Sequence, residues 1–109
     1  MAYDAALAAR VRAALGPRDG LAEREMFGGI AWMIGGNMAC GVLGEDLVVR
    51  LAPEEVEAAL AEAGTRPFEP SGRRMRGFVV VGPEATGDPA ELGSWVDAGA
   101  GQAASLPEK

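Results

Sequence analysis

The stretch most informative about the fold is Ile30-Ala31-Trp32-Met33-Ile34-Gly35-Gly36-Asn37-Met38-Ala39-Cys40-Gly41-Val42-Leu43. Two apolar runs, Ile30–Ile34 and Met38–Leu43, flank the segment Gly35-Gly36-Asn37. Glycine and asparagine adopt the positive φ angles of a tight turn at little cost. The stretch therefore predicts an antiparallel β-hairpin.

Short runs on either side extend this hairpin into a sheet. Leu21–Phe27 alternates imperfectly and carries charged residues, which is typical of an edge strand. Leu47–Leu51 follows a Gly-Glu-Asp turn and places alternate apolar residues on one face. Phe78–Val81 is an unbroken β-rich run, which predicts a later, well-covered strand. Together these runs predict a four-stranded antiparallel meander with at least one later strand.

Three helices are predicted around the sheet. The first covers about Asp4–Leu15, with an apolar residue at every fourth position. The second covers Pro53–Ala63, with proline at its first position. The third begins after Asp88, and internal glycines suggest that it bends or frays after about Ala98. An N-terminal, a middle and a C-terminal helix around an antiparallel sheet make an α+β fold.

The number of residues in the turn of the central hairpin determines which side chains share a face. An even number of turn residues puts Met33 on one face with Met38 and Cys40, and puts Trp32 on the other face with Gly41. An odd number reverses this assignment. Two thioethers and a thiol on one face are also typical copper(I) ligands. Core packing is the favoured interpretation, because methionine and free cysteine commonly fill apolar cores.

The composition is that of one soluble globular domain spanning residues 1–109. Hydrophobic residues make up 49% of the chain and the net charge is −6. This acidic balance disfavours nucleic acid as the partner, because general nucleic-acid binders carry a basic surface. The sequence shows neither a signal peptide nor a membrane-spanning run, so we expect a cytoplasmic location and no membrane contact.

Catalytic and metal-binding chemistry has few candidates in this sequence. Histidine is absent and Cys40 is the only cysteine, which excludes Ser-His-Asp and Cys-His catalysis within one chain and zinc sites built on imidazole. The carboxylates are explained by helix starts, caps and turns. We therefore predict a protein that is not an enzyme, with no catalytic residue, cofactor or metal site. A Cys40 thiol-dependent sensor or enzyme is an alternative, although an inert buried thiol is favoured.

Candidate interaction residues fall into two groups. Arg73, Arg74 and Arg76 form the one concentrated basic segment, which is suited to a phosphate or an acidic partner, although a solvated strand entry is the favoured interpretation. The Gly28-Gly29 pair permits close approach of a phosphate or of a partner backbone, although a β-bulge explains it better. With neighbouring strand and turn residues, the candidates are Phe27, Gly28, Gly29, Asn37, Arg73, Arg74 and Arg76.

Several blocks along the chain form an extended motif. They are Met26-Phe27-Gly28-Gly29, Trp32-Met33, Gly36-Asn37-Met38, Cys40-Gly41-Val42, Arg50 with Pro53-Glu54-Glu55, Arg66-Pro67, Gly72-Arg73, Met75-Arg76-Gly77 and Trp95. This arrangement resembles the TfoX/Sxy N-terminal domain family over nearly the whole chain. The family takes its name from regulators of natural competence, so the resemblance implies an α+β domain with a non-enzymatic role and no cofactor. Those regulators look like two-domain proteins, whereas this sequence ends at Lys109, which predicts a stand-alone N-terminal domain.

The leading functional hypothesis is a small cytoplasmic regulatory domain that binds an unidentified protein partner. The edge strand Leu21–Phe27 and the acidic helix around Glu54–Glu62 are its candidate surfaces. A homodimer through the edge strand is a further option. The alternative is a nucleic-acid-binding module that uses Arg73, Arg74 and Arg76, whose association would weaken steeply with salt.

Overall fold

The computed structural model describes residues 3–26 and 28–109 of the chain. Within these residues the helices and strands follow in the order α1 (Ala5–Leu15), β1 (Leu21–Met26), β2 (Gly29–Ile34), β3 (Asn37–Leu43), β4 (Asp46–Arg50), α2 (Pro53–Leu60), β5 (Thr65–Pro67), β6 (Phe78–Val81) and α3 (Pro89–Ser105). A short 3₁₀ turn, Pro83–Ala85, precedes α3. The predicted α+β class, with its three helices, is confirmed.

The six strands form one sheet in the order β1-β2-β3-β4-β6-β5, and each neighbouring pair is antiparallel. The predicted meander is confirmed in β1 to β4, and β6 is the predicted later strand. The short strand β5 pairs with the outer side of β6. The sequence pattern does not predict β5, because three residues are too few to show an alternating pattern.

Helices α1 and α3 cover one face of the sheet, which we name the helix face. Leu7, Val11 and Leu15 of α1 are buried there, which confirms the predicted apolar stripe. The buried strand residues on this face include Ile30, Trp32, Ile34, Cys40, Val42, Leu47, Val49, Val79 and Val81. Removal of this apolar surface from water is the main driving force for folding.

An extra residue in β3 changes which side chains share a face. Met33 pairs with Met38, as an even turn requires, but Trp32 pairs with Cys40. Ala39 is therefore left between two pairs, which is the geometry of a β-bulge. The expectation that Cys40 shares a face with Met33 and Met38 is wrong, because the bulge reverses the alternation beyond Ala39. Cys40 lies on the helix face beside Trp32.

Glycines at positive φ occur in two of the turns of the meander. Gly35-Gly36 has φ angles of 59° and 82° and connects β2 to β3, as the hairpin pattern predicted. Gly28 has a φ of 76°, and Gly29 pairs with Met26. The Gly28-Gly29 pair therefore belongs to a tight reversal between β1 and β2, and the favoured interpretation as a β-bulge is wrong. A residue at positive φ lets the chain turn back within two residues, and glycine adopts that angle without steric cost.

Helix α3 runs unbroken to Ser105, so the fraying expected after Ala98 does not occur. Gly99 is buried against β3, and a Cβ atom at this position would overlap the carbonyl oxygen of Ala39 and lie 3.2 Å from Cγ1 of Val49. The missing side chain lets the helix approach the sheet closely. Tertiary packing of this kind outweighs the weak helix propensity of glycine.

We predict that Gly99→Ala lowers the free energy of unfolding by about 1 to 3 kcal/mol, because the added methyl group overpacks the contact between α3 and β3. Gly101→Ala in the same helix is the matched control, since no atom from the rest of the fold lies within 4 Å of its added Cβ. Better helix propensity should make this control more stable by up to about 1 kcal/mol. Urea unfolding followed by circular dichroism measures both changes. Stabilisation of both variants would contradict the close packing.

Candidate interaction surface

The sheet face opposite α1 and α3, which we name the distal face, is also apolar. Its strand residues include Ala31, Met38, Gly41, Leu43, Val48 and Val80. Gly41 joins this face, and not the face of Trp32 as the even turn predicted, because of the β-bulge in β3. Antiparallel sheets commonly expose one polar face to water. An apolar second face therefore needs a cover of its own.

Residues 68–77, which we name the distal loop, cover part of this face. The Phe68 side chain packs against the cluster formed by Val48, Phe78 and Val80, with the Phe68 and Phe78 ring centroids 6.1 Å apart. The backbone N–H of Met75 donates to the carbonyl oxygen of Phe68 at 2.8 Å, which closes the loop on itself. The distal loop thus forms a wall above the strands.

An apolar groove of about 330 Å³ lies between the distal loop and the strands of the meander. Its lining includes Ala31, Met38, Gly41, Leu43, Phe68 and Met75. Ala31 and Gly41 contribute little volume, whereas the methionine side chains beside them are long and adaptable. Met75 is 43% exposed and is the one exposed large hydrophobic residue in the part of the chain that the structure describes. The groove is suited to apolar side chains of a ligand or partner.

The three arginines predicted as interaction residues lie exposed in the distal loop, beside the groove-lining Met75. They lie outside the strands, in the loop that leads into β6. Nη1 of Arg74 lies 3.6 Å from Oε1 of Glu57 in α2, an exposed pair of small energetic weight. Arg73 and Arg76 form no ion pair with any residue that the structure describes.

Arg50 supports the distal face from within. Its Nε donates to the carbonyl oxygen of Met38 at 2.6 Å, and its guanidinium carbon lies 4.6 Å from the centre of the Phe78 ring. Desolvation by burial lowers the pKa of Arg50. The guanidinium therefore links the backbone of β3 to the Phe78 ring of β6 on the distal face.

The other candidate residues are not gathered at one site. Asn37 is buried, and its Nδ2 donates to the carbonyl oxygen of Pro107 at 2.9 Å, so this side chain holds the C-terminal segment. Gly28 is exposed in the turn at the other end of β2, whereas Gly29 is buried. Phe27 lies outside the described residues.

Strand β1 lies at an edge of the sheet, as predicted, and pairs with β2 alone among the described strands. Glu23 ties this strand to the helix face, because its Oε1 accepts from Nε of Arg12 at 2.7 Å and from Nε1 of Trp32 at 2.9 Å. The hydrogen bond from Arg12 lowers the pKa of Glu23; burial opposes this shift, and the bond from Trp32 adds to it. The edge strand is therefore anchored by its side chains as well as by its backbone.

Cys40 is fully buried on the helix face. Burial raises the pKa of its thiol to about 12, so the reactive thiolate is scarce at neutral pH. Because Met33 and Met38 point to the distal face, the three sulfur atoms do not form a common copper(I) site. Residues 3–26 and 28–109 contain no cluster of histidine, cysteine or carboxylate ligands placed to hold a metal ion. None of the described helices is long and apolar enough to cross a membrane.

A comparison with protein families identifies the family of this chain. The profile of the TfoX N-terminal domain matches residues 13–103, from within α1 to within α3. The chain belongs to the TfoX N-terminal domain family. The resemblance inferred from the sequence blocks is thus confirmed, and the groove of this TfoX N-terminal domain lies within the matched region. Comparisons with curated proteins and with solved structures gave no significant match.

Sequence patterns alone did not indicate the groove of this TfoX N-terminal domain. Ala31, Met38 and Gly41 carry no chemical signature of binding. The usable signal is an unbroken apolar strand such as Phe78–Val81, which indicates that both faces of the sheet are covered. Periodicity does not reveal how completely a loop covers the second face, and therefore misses the groove.

We expect Glu23→Gln to lower the free energy of unfolding at neutral pH by up to about 1 kcal/mol, the usual limit for an exposed ion pair. The pKa of Glu23 is lowered in the folded chain. Its stabilising contribution is therefore complete above the pKa of the unfolded chain and is lost as the pH falls through the folded pKa. Urea unfolding at neutral and at strongly acidic pH measures this loss. Glu25→Gln on the same strand is the control, and a pH-independent effect of E23Q would contradict the network.

A second prediction concerns the thiol of Cys40. An aromatic disulfide reagent should label the native protein only as fast as the protein unfolds, because the thiol is buried and its pKa is raised to about 12. In concentrated urea the same thiol should react at once, and Cys40→Ala supplies the blank. Rapid labelling of the native protein at neutral pH would contradict this prediction and would support the hypothesis of a thiol-dependent sensor or enzyme.

Proposed function

We propose that this TfoX N-terminal domain is a non-enzymatic regulatory module of the cytoplasm that binds a protein partner through the groove on its distal face. The observation that carries the proposal is the apolar groove beside the exposed side chain of Met75. Concave apolar surfaces on a folded domain commonly mark contacts with partners or ligands. Membership in a family named after competence regulators supports the regulatory role.

The chemistry of the side chains supports a role without catalysis. The sequence has no histidine, and the one thiol is buried with its pKa raised to about 12. Asp4 and Asp88 accept hydrogen bonds from backbone N–H groups at the starts of α1 and α3, so these carboxylates are used as helix caps. A single buried thiol is also compatible with a reducing compartment.

A protein partner suits the groove better than a nucleic acid does. Proteins that bind single strands stack bases on exposed aromatic rings. Here Phe78 is buried at 3% exposure, and Phe68 packs against it. Arg74 lies near Glu57, and the net charge of −6 opposes a phosphate backbone. A nucleic-acid-binding module therefore remains the second candidate.

Self-association through β1 is opposed by the charges on that strand. If two copies of β1 paired as antiparallel strands of one continuous sheet, each residue would lie opposite a residue of the other copy. The two opposed side chains would then project from the same face of the sheet and would be in contact. In pairings centred on Arg24, Arg24 would face its own copy and Glu23 would face Glu25. In pairings centred on Glu23, two carboxylates would meet. A different protein is therefore the favoured partner over a second copy of this chain.

Site-specific photo-crosslinking in cells tests the proposed function. A photoreactive phenylalanine analogue replaces Met75 in the groove or, as the matched control, Ala98, which is exposed on α3 at the opposite side of the sheet. We expect a discrete protein adduct from position 75 and none from position 98, as identified by mass spectrometry. The same adducts from both positions, or no protein adduct from position 75, would contradict the proposal. An adduct removed by nuclease would favour the nucleic-acid alternative.

A further inference from the structure

The basic residues of this acidic protein are concentrated on one side of the sheet. Six of its nine arginines belong to the distal face or to the distal loop. They are Arg24, Arg50, Arg66, Arg73, Arg74 and Arg76. The apolar groove lies on the same side of the sheet, and none of the described residues that line it is charged.

Three of these arginines already have partners within the chain. Nη2 of Arg66 lies 2.6 Å from Oδ2 of Asp46, Arg74 lies near Glu57, and Arg50 is held by Met38 and Phe78 as described above. Each of these three side chains is therefore already engaged in a contact that a partner would have to share or replace.

The other three arginines are available to a partner. Arg24 is exposed on β1, where it pairs with the groove-lining Ala31. Arg73 and Arg76 are exposed in the distal loop, which forms the other wall. None of the three has an ion pair among the residues that the structure describes. The one carboxylate of the distal loop is Glu69, which also has no ion pair there.

On the basis of the proposed function, we infer that the partner presents an acidic amphipathic segment to the groove. Its apolar side chains enter the space bounded by Met38, Leu43 and Met75, and its carboxylates lie against Arg73, Arg76 and Arg24. A volume of about 330 Å³ is near the lower limit of ligand pockets, which suits a few apolar side chains of a peptide. Charge complementarity selects an acidic segment, since a basic one would meet three unpaired guanidinium groups.

Selection from a display library of random peptides tests this inference on the intact folded chain. We expect the enriched peptides to combine apolar residues with aspartate or glutamate. One enriched peptide is then synthesised with a fluorescent label, and its affinity is measured by fluorescence polarisation at low and high salt. Screening by salt should weaken the binding, because the carboxylate contacts are exposed.

Two variants and a charge-matched control locate the contacts. Arg73→Gln combined with Arg76→Gln should weaken peptide binding roughly fivefold, as expected for the loss of two exposed charge pairs. Met75→Ser should weaken it severalfold through lost apolar contact. Ala90→Glu combined with Ala98→Glu lowers the net charge by the same amount on exposed positions of α3 and should leave the affinity unchanged. A peptide whose carboxylates are replaced by amides should no longer distinguish the double arginine variant from the wild type.

The possible results separate this inference from the proposed function. Binding that responds to Met75→Ser but not to the arginine changes, or enriched peptides without carboxylates, would overturn the acidic segment while leaving the groove as the binding surface. If no selected peptide responds to Met75→Ser, both fail. Displacement of the peptide by a single-stranded oligonucleotide, with the same dependence on Arg73 and Arg76, would overturn the inference in favour of nucleic acid.

Discussion

The close contact between Gly99 of α3 and the carbonyl group of Ala39 in β3 is the constraint on which the helix face depends. Ala39 is the extra residue of the β-bulge, and it stands at the point where the side-chain alternation of β3 reverses. Because the bulge turns Cys40 towards the helices, the thiol joins the core beside Trp32. Gly99 in turn lets α3 lie close enough to cover these residues. A side chain at this position would separate the helix from the sheet.

The same bulge shapes the distal face. By turning Cys40 towards the helices, it turns Gly41 towards the opposite side, next to Ala31. Two small residues in neighbouring strands leave a depression in an otherwise apolar surface. The distal loop covers part of this surface with Phe68 and Met75 and leaves the depression open at its side. One local irregularity in β3 therefore determines both the packing of the core and the presence of a groove.

Most of the arginines and the apolar groove lie on the same side of the sheet. Six of the nine arginines lie on the distal face or in the distal loop. Those next to carboxylates, such as Arg66 beside Asp46, help to hold the fold. Those without such partners among the described residues, Arg73 and Arg76, lie in the distal loop, whose Met75 lines the groove. This division distinguishes residues that maintain the surface from residues available to a partner.

The sequence by itself determined the α+β class, the meander and its Gly35-Gly36 turn, because these depend on local periodicity and on the φ angles that glycine permits. It also determined the family, through blocks of residues that persist along the chain. Tertiary structure alone decided the face of Cys40, the unbroken course of α3 and the position of the arginines on the same side of the sheet as the groove. A bulge reverses the alternation without a sequence signal, and packing against the sheet overrides the helix propensity of Gly99. Loop residues have no periodicity, so the position of Arg73 relative to the distal face depends on long-range contacts.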